Sequence, residues 1–549
     1  MSRGGVRLPR REGADWGIVT TAPAPENPHP PTILLRGGRV HGHAGAQALL
    51  SREGRIAWVG ADDAAAALVD EADRVVDLDG ALVTAAFCDA HVHLTMTGQG
   101  LDGIDLSGTR SVGEALRLIE TAARHLRGRP VYAHSWDETK WVEGRPVTAA
   151  ELDRATYGGV VYMPRVDAHS ASVSSAMAAV ARVHGLDGWD GTGVVSRDAF
   201  AAVTNAFTSG MTDADRQHYL DLALRAAAER GVGLVHETGA DHLTSYADVQ
   251  HVLEAGLTPG VPATVAYWGQ LVGADAEAAH LGEFLGVIGL AGDLCADGSF
   301  GSRTAHLLEE YVDEPGHGYG YLNAEEIASH VVACTRAGLQ AGGHVIGDAA
   351  LHTMAEGFRR AADVVGREAM VAARHRWEHV ELPDAEVLAT MAELGIWASV
   401  QPAFDGLWGG TDGMYAVRLG QERALATVPL RSMLEAGVRV ALGSDSPVTT
   451  IDPWRAVQYA VWHHNEDERL TVAEAVAAHT SAGYELAGRP GGTLAVGGPA
   501  SYVVWDLPAD GPPAGGDGLP DLAAGPDLAL PIARLTVVDG HLAFDRDRG

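Results

Sequence analysis

Two periodicities divide the chain. Across its long middle, short apolar runs rich in β-branched and aromatic residues alternate with helical patterns, which is the arrangement of βα units feeding a parallel sheet. The runs are ALVTAAFCDAHVH, VGLVHETG, PATVAYWGQ, IGLAGDLCADGS, LQAGGHVIGD, RHRWEHVE, GIWASVQPAF and VRVALGSDSPV. An extra block, roughly residues 100–205, separates the first run from the second and carries VYAHSWDETKW and VVYMPRVDAHS. Both ends of the chain read differently. TILLRGGRV, GRIAWVG and RVVDLDGALV near the start, and SYVVWDLP and ARLTVVDGHLAFD near the finish, are short strands broken by Gly and Asp, so the two termini are expected to build one small sheet domain. The Pro-rich opening that ends in TTAPAPENPHPPT predicts a disordered segment, and the Pro/Gly-rich stretch after SYVVWDLP predicts a loop.

Helix starts are marked locally. Ser111, Asn323 and Thr471 each stand three residues before a Glu, the spacing of an N-cap with its reciprocal acid, and Gly338 follows an apolar helical pattern as a C-cap.

Composition narrows the function classes. With 46% hydrophobic and 20% charged residues the chain is that of a globular protein, and no apolar run approaches the roughly 20 residues of a membrane span. The arginines near the start have no apolar stretch behind them, and the three cysteines are too scattered for a disulfide framework. A cytoplasmic protein is expected. A net charge of −32 argues against nucleic acid and anionic membrane as partners, leaving a small-molecule substrate; a barrel of this size also commonly pairs as a homodimer. Lys140 is the single lysine, so lysine chemistry is absent from almost every position.

His-X-His is expected by chance in a chain with 25 histidines, and it occurs twice, at His91-Val92-His93 and His41-Gly42-His43. Context separates them. In a parallel barrel the C-terminal strand ends converge on one mouth. His91 and His93 end the first run, His344 the fifth, His379 the sixth and Asp445 the eighth, whereas His41 and His43 follow a strand of the terminal sheet. Strand alternation puts His91 and His93 on one face. Imidazoles with a carboxylate suit zinc or a similar divalent ion, and zinc lowers the pKa of a bound water from 15.7 to roughly 7. Asp445 then serves as ligand and as the base that carries the water's proton to the leaving group.

These residues and motifs resemble the amidohydrolase superfamily, and more narrowly its YtcJ-like, amidohydrolase-3 branch. AFCDAHVHL, SWDETKW, RVDAHSASVSSAM, ADGSFGSRTA, HVIGD, RHRWEHVE, SVQPAF and GSDSPV occur in that branch's order, over about residues 33–549. The resemblance implies an α/β fold: a (β/α)8 TIM-like barrel over 84–487 with an insertion at 100–205, and a β-sandwich from 33–83 and 488–549, after a disordered 1–32. It implies a metal centre on His91, His93, His344, His379 and Asp445, hydrolysis of amide-like bonds with His379 or His344 polarising the carbonyl, and substrate-site candidates Trp136, Asp137, Arg165, Asp167, His169 and Arg303. Arg165 and Asp167 are equally readable as a structural ion pair. Trp136, Trp141, Phe404 and Trp408 suggest an apolar moiety at the mouth, or packing.

One departure stands out. The branch usually carries, on the fourth strand, a lysine whose carbamate bridges two metals, and here Asp293 takes that place in GDLCADGS with no lysine nearby. Asp293 becomes the substitute ligand. Its short side chain favours a single divalent ion, zinc first, without a carbamylated lysine, because reaching two ions would need the backbone or a metal to shift. Alternation would place Cys295 and Asp297 on the same face as Asp293. Ala168 and Ser174, where the branch has Gly and Asn, leave the substrate open. The leading expectation is a metal-dependent hydrolase of a small N-substituted amide, N-acyl or N-formyl. The rivals are a non-hydrolytic lyase, isomerase or decarboxylase on the same barrel, and a binding protein with a degenerate site.

Overall fold

The computed structural model describes residues 29–508 and 518–548. The expected disorder at the N-terminus and the interior of the Pro/Gly-rich loop fall mostly outside these residues.

Eight parallel strands form the barrel, each hydrogen-bonded to the next in chain order: Phe87–Val92, Val232–Ala240, Ala263–Gly269, Gly289–Leu290, Gln340–Val345, Arg376–His379, Trp397–Val400 and Arg439–Leu442. All eight fall on the eight runs read from the sequence, the second extending one residue past its run to Ala240. The last meets the first through a parallel bridge between Val92 and Ser446, supported by Asp445 N–H to His91 O at 2.7 Å and His93 N–H to Ser446 O at 2.9 Å. Closure therefore runs directly through the residues of interest. The long second strand is buried along its whole length, as a strand covered on both faces must be.

The run ALVTAAFCDAHVH proves to be two strands. Leu82–Ala85 belongs to a five-stranded sheet with Arg39–Val40, Tyr502–Asp506, Ile532–Val538 and His541–Asp545, and only Phe87–Val92 enters the barrel. A four-stranded sheet of Arg55–Gly60, Ala48–Arg52, Ile33–Arg36 and Arg74–Asp77 shares with it a core of Ile33, Leu35, Leu49, Ile56, Val83, Tyr502, Val504 and Val537. The two termini thus meet in one sandwich. Trp505 ties it to the barrel: its ring packs edge-on against Phe87 at 5.7 Å and Trp454 at 5.6 Å, and its indole N–H donates to Thr84 Oγ1 at 2.8 Å.

Between the first two barrel strands the chain builds a further five-stranded sheet, Ile104–Asp105, Val131–His134, Val161–Pro164, Ser170–Val173 and Val194–Ser196, with helices including Val112–Leu126, Ala149–Thr156 and Arg197–Thr208. The caps form where the sequence marks them. Asn323 and Thr471 make full reciprocal boxes with Glu326 and Glu474, Ser111 accepts from Glu114 N–H, and Gly338 closes its helix at φ 74°. No helix among the described residues is long and apolar enough to cross a membrane.

Candidate metal centre

The first barrel strand delivers His91 and His93 to the mouth with ring centroids 5.3 Å apart. Asp445, brought alongside by barrel closure, places Oδ1 3.4 Å from His91 Nε2 and 3.2 Å from His93 Nε2. Two donors about 2.0 Å from one tetrahedral ion lie about 3.3 Å apart, so these spacings suit a shared cation. His41 and His43 take no part, His43 Nε2 lying 2.9 Å from Leu494 O in the sandwich.

Asp293 reaches the same place by a backbone device. Leu290 pairs with Ala341 and Cys295 with His344, so residues 291–294 stand opposite Gly342 and Gly343 alone: four residues against two. The surplus forms a bulge, which turns at Gly292 with φ 73°. Gly269 on the third strand makes room, since a Cβ there would lie 2.5 Å from Asp293 C and from Leu294 N. The bulge carries the short carboxylate inward. Asp293 Oδ2 lies 3.2 Å from His93 Nε2 and 3.7 Å from His91 Nε2, while Oδ1 lies 3.9 Å from His344 Nδ1. Of the three residues expected on one face, Asp293 and Cys295 both line the chamber that opens from this cluster and Asp297 does not, because the bulge breaks the alternation. Cys295 Sγ lies 3.7 Å from His242 Nε2, and Asp297 accepts the backbone N–H groups of His306, Ile346 and Gly347.

Three rings are each fixed through one nitrogen, leaving the other to face the centre. His91 Nδ1 bonds Glu378 Oε2 at 2.9 Å, His379 Nδ1 bonds Gln401 Oε1 at 2.8 Å, and His344 Nε2 donates to Gly298 O at 3.1 Å. Glu378 is clamped by Arg376, which is buried inside the barrel and also donates to Ala90 O and Ser399 Oγ. With Arg376 and Glu378 both facing inward, regular alternation would send His379 away from the mouth. Left-handed backbone at His379 (φ 69°) and Val380 (φ 49°) turns it back, and Asp445 adopts the same region at φ 55°. Backbone strain of this kind persists only where the surroundings impose it.

The electrostatics demand positive charge. Burial pushes the His91 and His93 imidazoles toward neutrality, yet the carboxylates of Asp445 and Asp293 overcome it and hold both above the usual histidine range. Burial also opposes ionisation of Asp293, and His93 and His91 pull it well below the ordinary carboxylate value. At His344 and His379 burial outweighs the pull of the same carboxylates, and both lie below the usual histidine range. His91 Nε2, His379 Nε2 and Asp293 Oδ2 are buried without a hydrogen-bond partner. Donor atoms of His91, His93 and Asp445, and those of His91, Asp293 and His379, lie within 4.8 Å of one another. Orphaned atoms of ligand type around a charge deficit fit a divalent cation.

A chamber of about 510 Å³ opens from this cluster, walled in part by Met96, Phe200, Asp241, His242, Gln270 and Tyr321. Of the six substrate-site candidates, Asp167 and His169 line it and the other four do not. Trp136 is core: it stacks on Trp141 at 5.6 Å and donates to Met163 O. Asp137 caps the short turn Glu138–Lys140. Arg165 is buried in ion pairs with Asp167 at 3.0 Å, Glu138 at 2.9 Å and Asp137 at 3.3 Å, and Arg303 pairs with Asp313 at 2.7 Å. Trp136, Asp137 and Arg165 brace the loop that presents Asp167 and His169, whose ring lies 4.8 Å from that of His344. Ser174 caps a helix through Met177 N–H, away from the chamber, whereas Ala168 lines it. Asp241, His242 and Gln270 were not among the expected residues, although they sit just past the second and third strand ends, where the rule that found His91 also applies. Arg197 and Phe200 come from an insertion helix and carry no such signal.

A closed parallel barrel with a His/Asp cluster at the C-terminal strand ends defines the class as a metal-dependent barrel hydrolase. The amidohydrolase family profile matches residues 74–544, and the chain belongs to that family. It is 25% identical to the putative amidohydrolase YtcJ of Bacillus subtilis (strain 168), over 86% of this chain and 90% of that one. It is 25% identical to the N-substituted formamide deformylase of Arthrobacter pascens, over 91% and 95%. An uncharacterized metal-dependent hydrolase from Pyrococcus furiosus superimposes with a TM-score of 0.66 at 26% identity, covering 86% of this chain and 98% of that one.

Proposed function

We propose that this chain hydrolyses an amide-type C–N bond in a small N-substituted substrate, N-acyl or N-formyl, using one divalent ion, zinc by its donor set. The observation that carries the reading is the convergence of His91, His93, Asp293 and Asp445 atoms at 3.2–3.7 Å, with buried donor atoms left unpartnered. His91, His93, His379, Asp293 and Asp445 would hold the ion, with His344 Nδ1 on the far side of Asp293. Bound there, it supplies Lewis acidity toward water and carbonyl. A single ion is favoured because both donor trios use His91, whose other nitrogen is engaged by Glu378.

The remaining steps belong to the chain's own groups. Asp445 takes a proton from the attacking water and passes it to the leaving nitrogen; the new C–O bond forms as the C–N bond breaks, giving an acid and an amine. His344 and His379, both kept neutral by burial, border the reacting carbonyl. The formamide deformylase is named for the same bond type, which supports the substrate class. Purified protein should contain about one divalent ion per chain, and turnover of N-acyl or N-formyl compounds in 18O-labelled water should place solvent oxygen in the acid product. Product without label would favour a lyase or isomerase, and protein devoid of bound metal would favour a binding role.

A further inference from the structure

Two hollows meet at the metal centre. His169, His344, His379, Asp445 and Val448 border both the 510 Å³ chamber and a second recess of only about 20 Å³. A group attached to the carbon under attack beside Asp445 therefore enters one or the other. The recess is walled by buried Phe300, Phe404, Trp408, Met414 and Tyr415. Their rings brace one another: Phe300 meets Tyr415 edge-on at 5.2 Å, Phe404 lies 4.9 Å from Trp408, and Phe404 stacks nearly parallel on the His379 ring at 5.8 Å. Glu381 also lines it beside Tyr415, 2% exposed and with Oε2 lacking a hydrogen-bond partner.

We infer that this recess receives the acyl substituent and restricts the enzyme to the smallest acyl groups, formyl first, while the N-substituent occupies the large chamber; the inference rests on the amide-hydrolase reading above. Three observations carry it. A space of about 20 Å³ holds roughly one water-sized group, which a formyl hydrogen leaves nearly free and a propyl chain overfills. An alkyl chain would also seal Glu381 Oε2 without a hydrogen bond, whereas a formyl hydrogen leaves room for a water to serve it. The chamber rim includes exposed Asp198 and Asp241, so the chamber reaches solvent, and the amine that departs when the C–N bond breaks needs that open route.

The test is an acyl series on one amine, assayed with metal-loaded full-length protein: N-(2-phenylethyl)formamide, the acetamide and the butanamide, beside the reversed amide 3-phenylpropanamide. One methylene in a tight pocket is worth roughly 10- to 200-fold, so kcat/KM should fall at least about 100-fold from formamide to butanamide. Phe404→Ala should raise the butanamide-to-formamide ratio at least tenfold. Met414→Ala, cut from the same wall without touching His379, provides the same readout if Phe404→Ala does not fold. A flat series, a wall truncation that leaves the ratio unchanged, or preference for the reversed amide overturns the assignment. If the protein binds metal yet hydrolyses nothing in either series, the amide reading itself falls.

Discussion

Replacing Glu378 by glutamine should separate metal affinity from fold stability. In the native protein Glu378 sits between Arg376, with contacts of 2.6 and 2.5 Å, and His91 Nδ1 at 2.9 Å. Burial alone would raise its pKa, but Arg376 and the His91 hydrogen bond bring it down from 4.5 to about 2. A fall of that size corresponds to about 3 kcal/mol favouring the charged form. Because the folded value lies below the unfolded one, this stability is present above about pH 4.5 and disappears as pH falls toward 2. Glutamine leaves the Arg376 guanidinium buried without a counter-charge, a defect worth about 3–5 kcal/mol, in line with the first figure. It also weakens the anchor that aims His91 Nε2 at the ion, where loss of such a partner costs about 10- to 100-fold in metal affinity. Urea unfolding of metal-free protein and chelator competition measure the two effects independently. The double variant Arg376→Met with Glu378→Gln should recover most of the stability, since no charge is stranded, but not the metal affinity. A Glu378→Gln protein within about 0.5 kcal/mol of the parent and within twofold in metal binding would refute the reasoning.

Asp445→Asn should lower kcat/KM by about 10²–10⁴-fold, and a variant as fast as the parent would remove Asp445 as proton carrier. Gly269→Ala drives a methyl into the backbone of the Asp293 bulge, at 2.5 Å from Asp293 C; a loss of about 1–3 kcal/mol together with weakened metal binding is expected, measured by unfolding and metal titration. Removing the metal with a chelator should abolish turnover and lower Tm, with both restored by added zinc, because a ligand bound only to the folded state stabilises it. Thr471→Ala removes one helix cap and should cost about 1 kcal/mol while leaving kcat/KM unchanged.

Much of the molecule is written in local pattern. Eight apolar runs of strand length, spaced by helical segments, dictate a parallel barrel, and short Gly/Asp-broken runs at both ends dictate a sheet shared by the termini; each follows from which side chains must leave water. Asn323 and Thr471 cap their helices because the acid three residues on is within reach of the same turn. His91, His93, His344, His379 and Asp445 could be singled out because strand ends in a parallel barrel converge. The family resemblance reached further in the insertion than the structure follows: Trp136, Asp137 and Arg165 carry suitable chemistry, but only packing reveals that they are bound up in a core and an ion-pair network behind Asp167 and His169.

What needed the third dimension was orientation. Alternation read along GDLCADGS aligns Asp293, Cys295 and Asp297, and read along RWEH it sends Glu378 and His379 to opposite sides. In the folded chain a bulge turning at Gly292 and accommodated by Gly269 takes Asp297 out of the chamber lining that Asp293 and Cys295 share, and left-handed backbone at His379 turns its ring back toward the mouth. Neither is a local preference of these residues. Each is imposed by neighbouring strands and by buried charges that must be paired, and those neighbours come from parts of the chain that sequence spacing does not bring together.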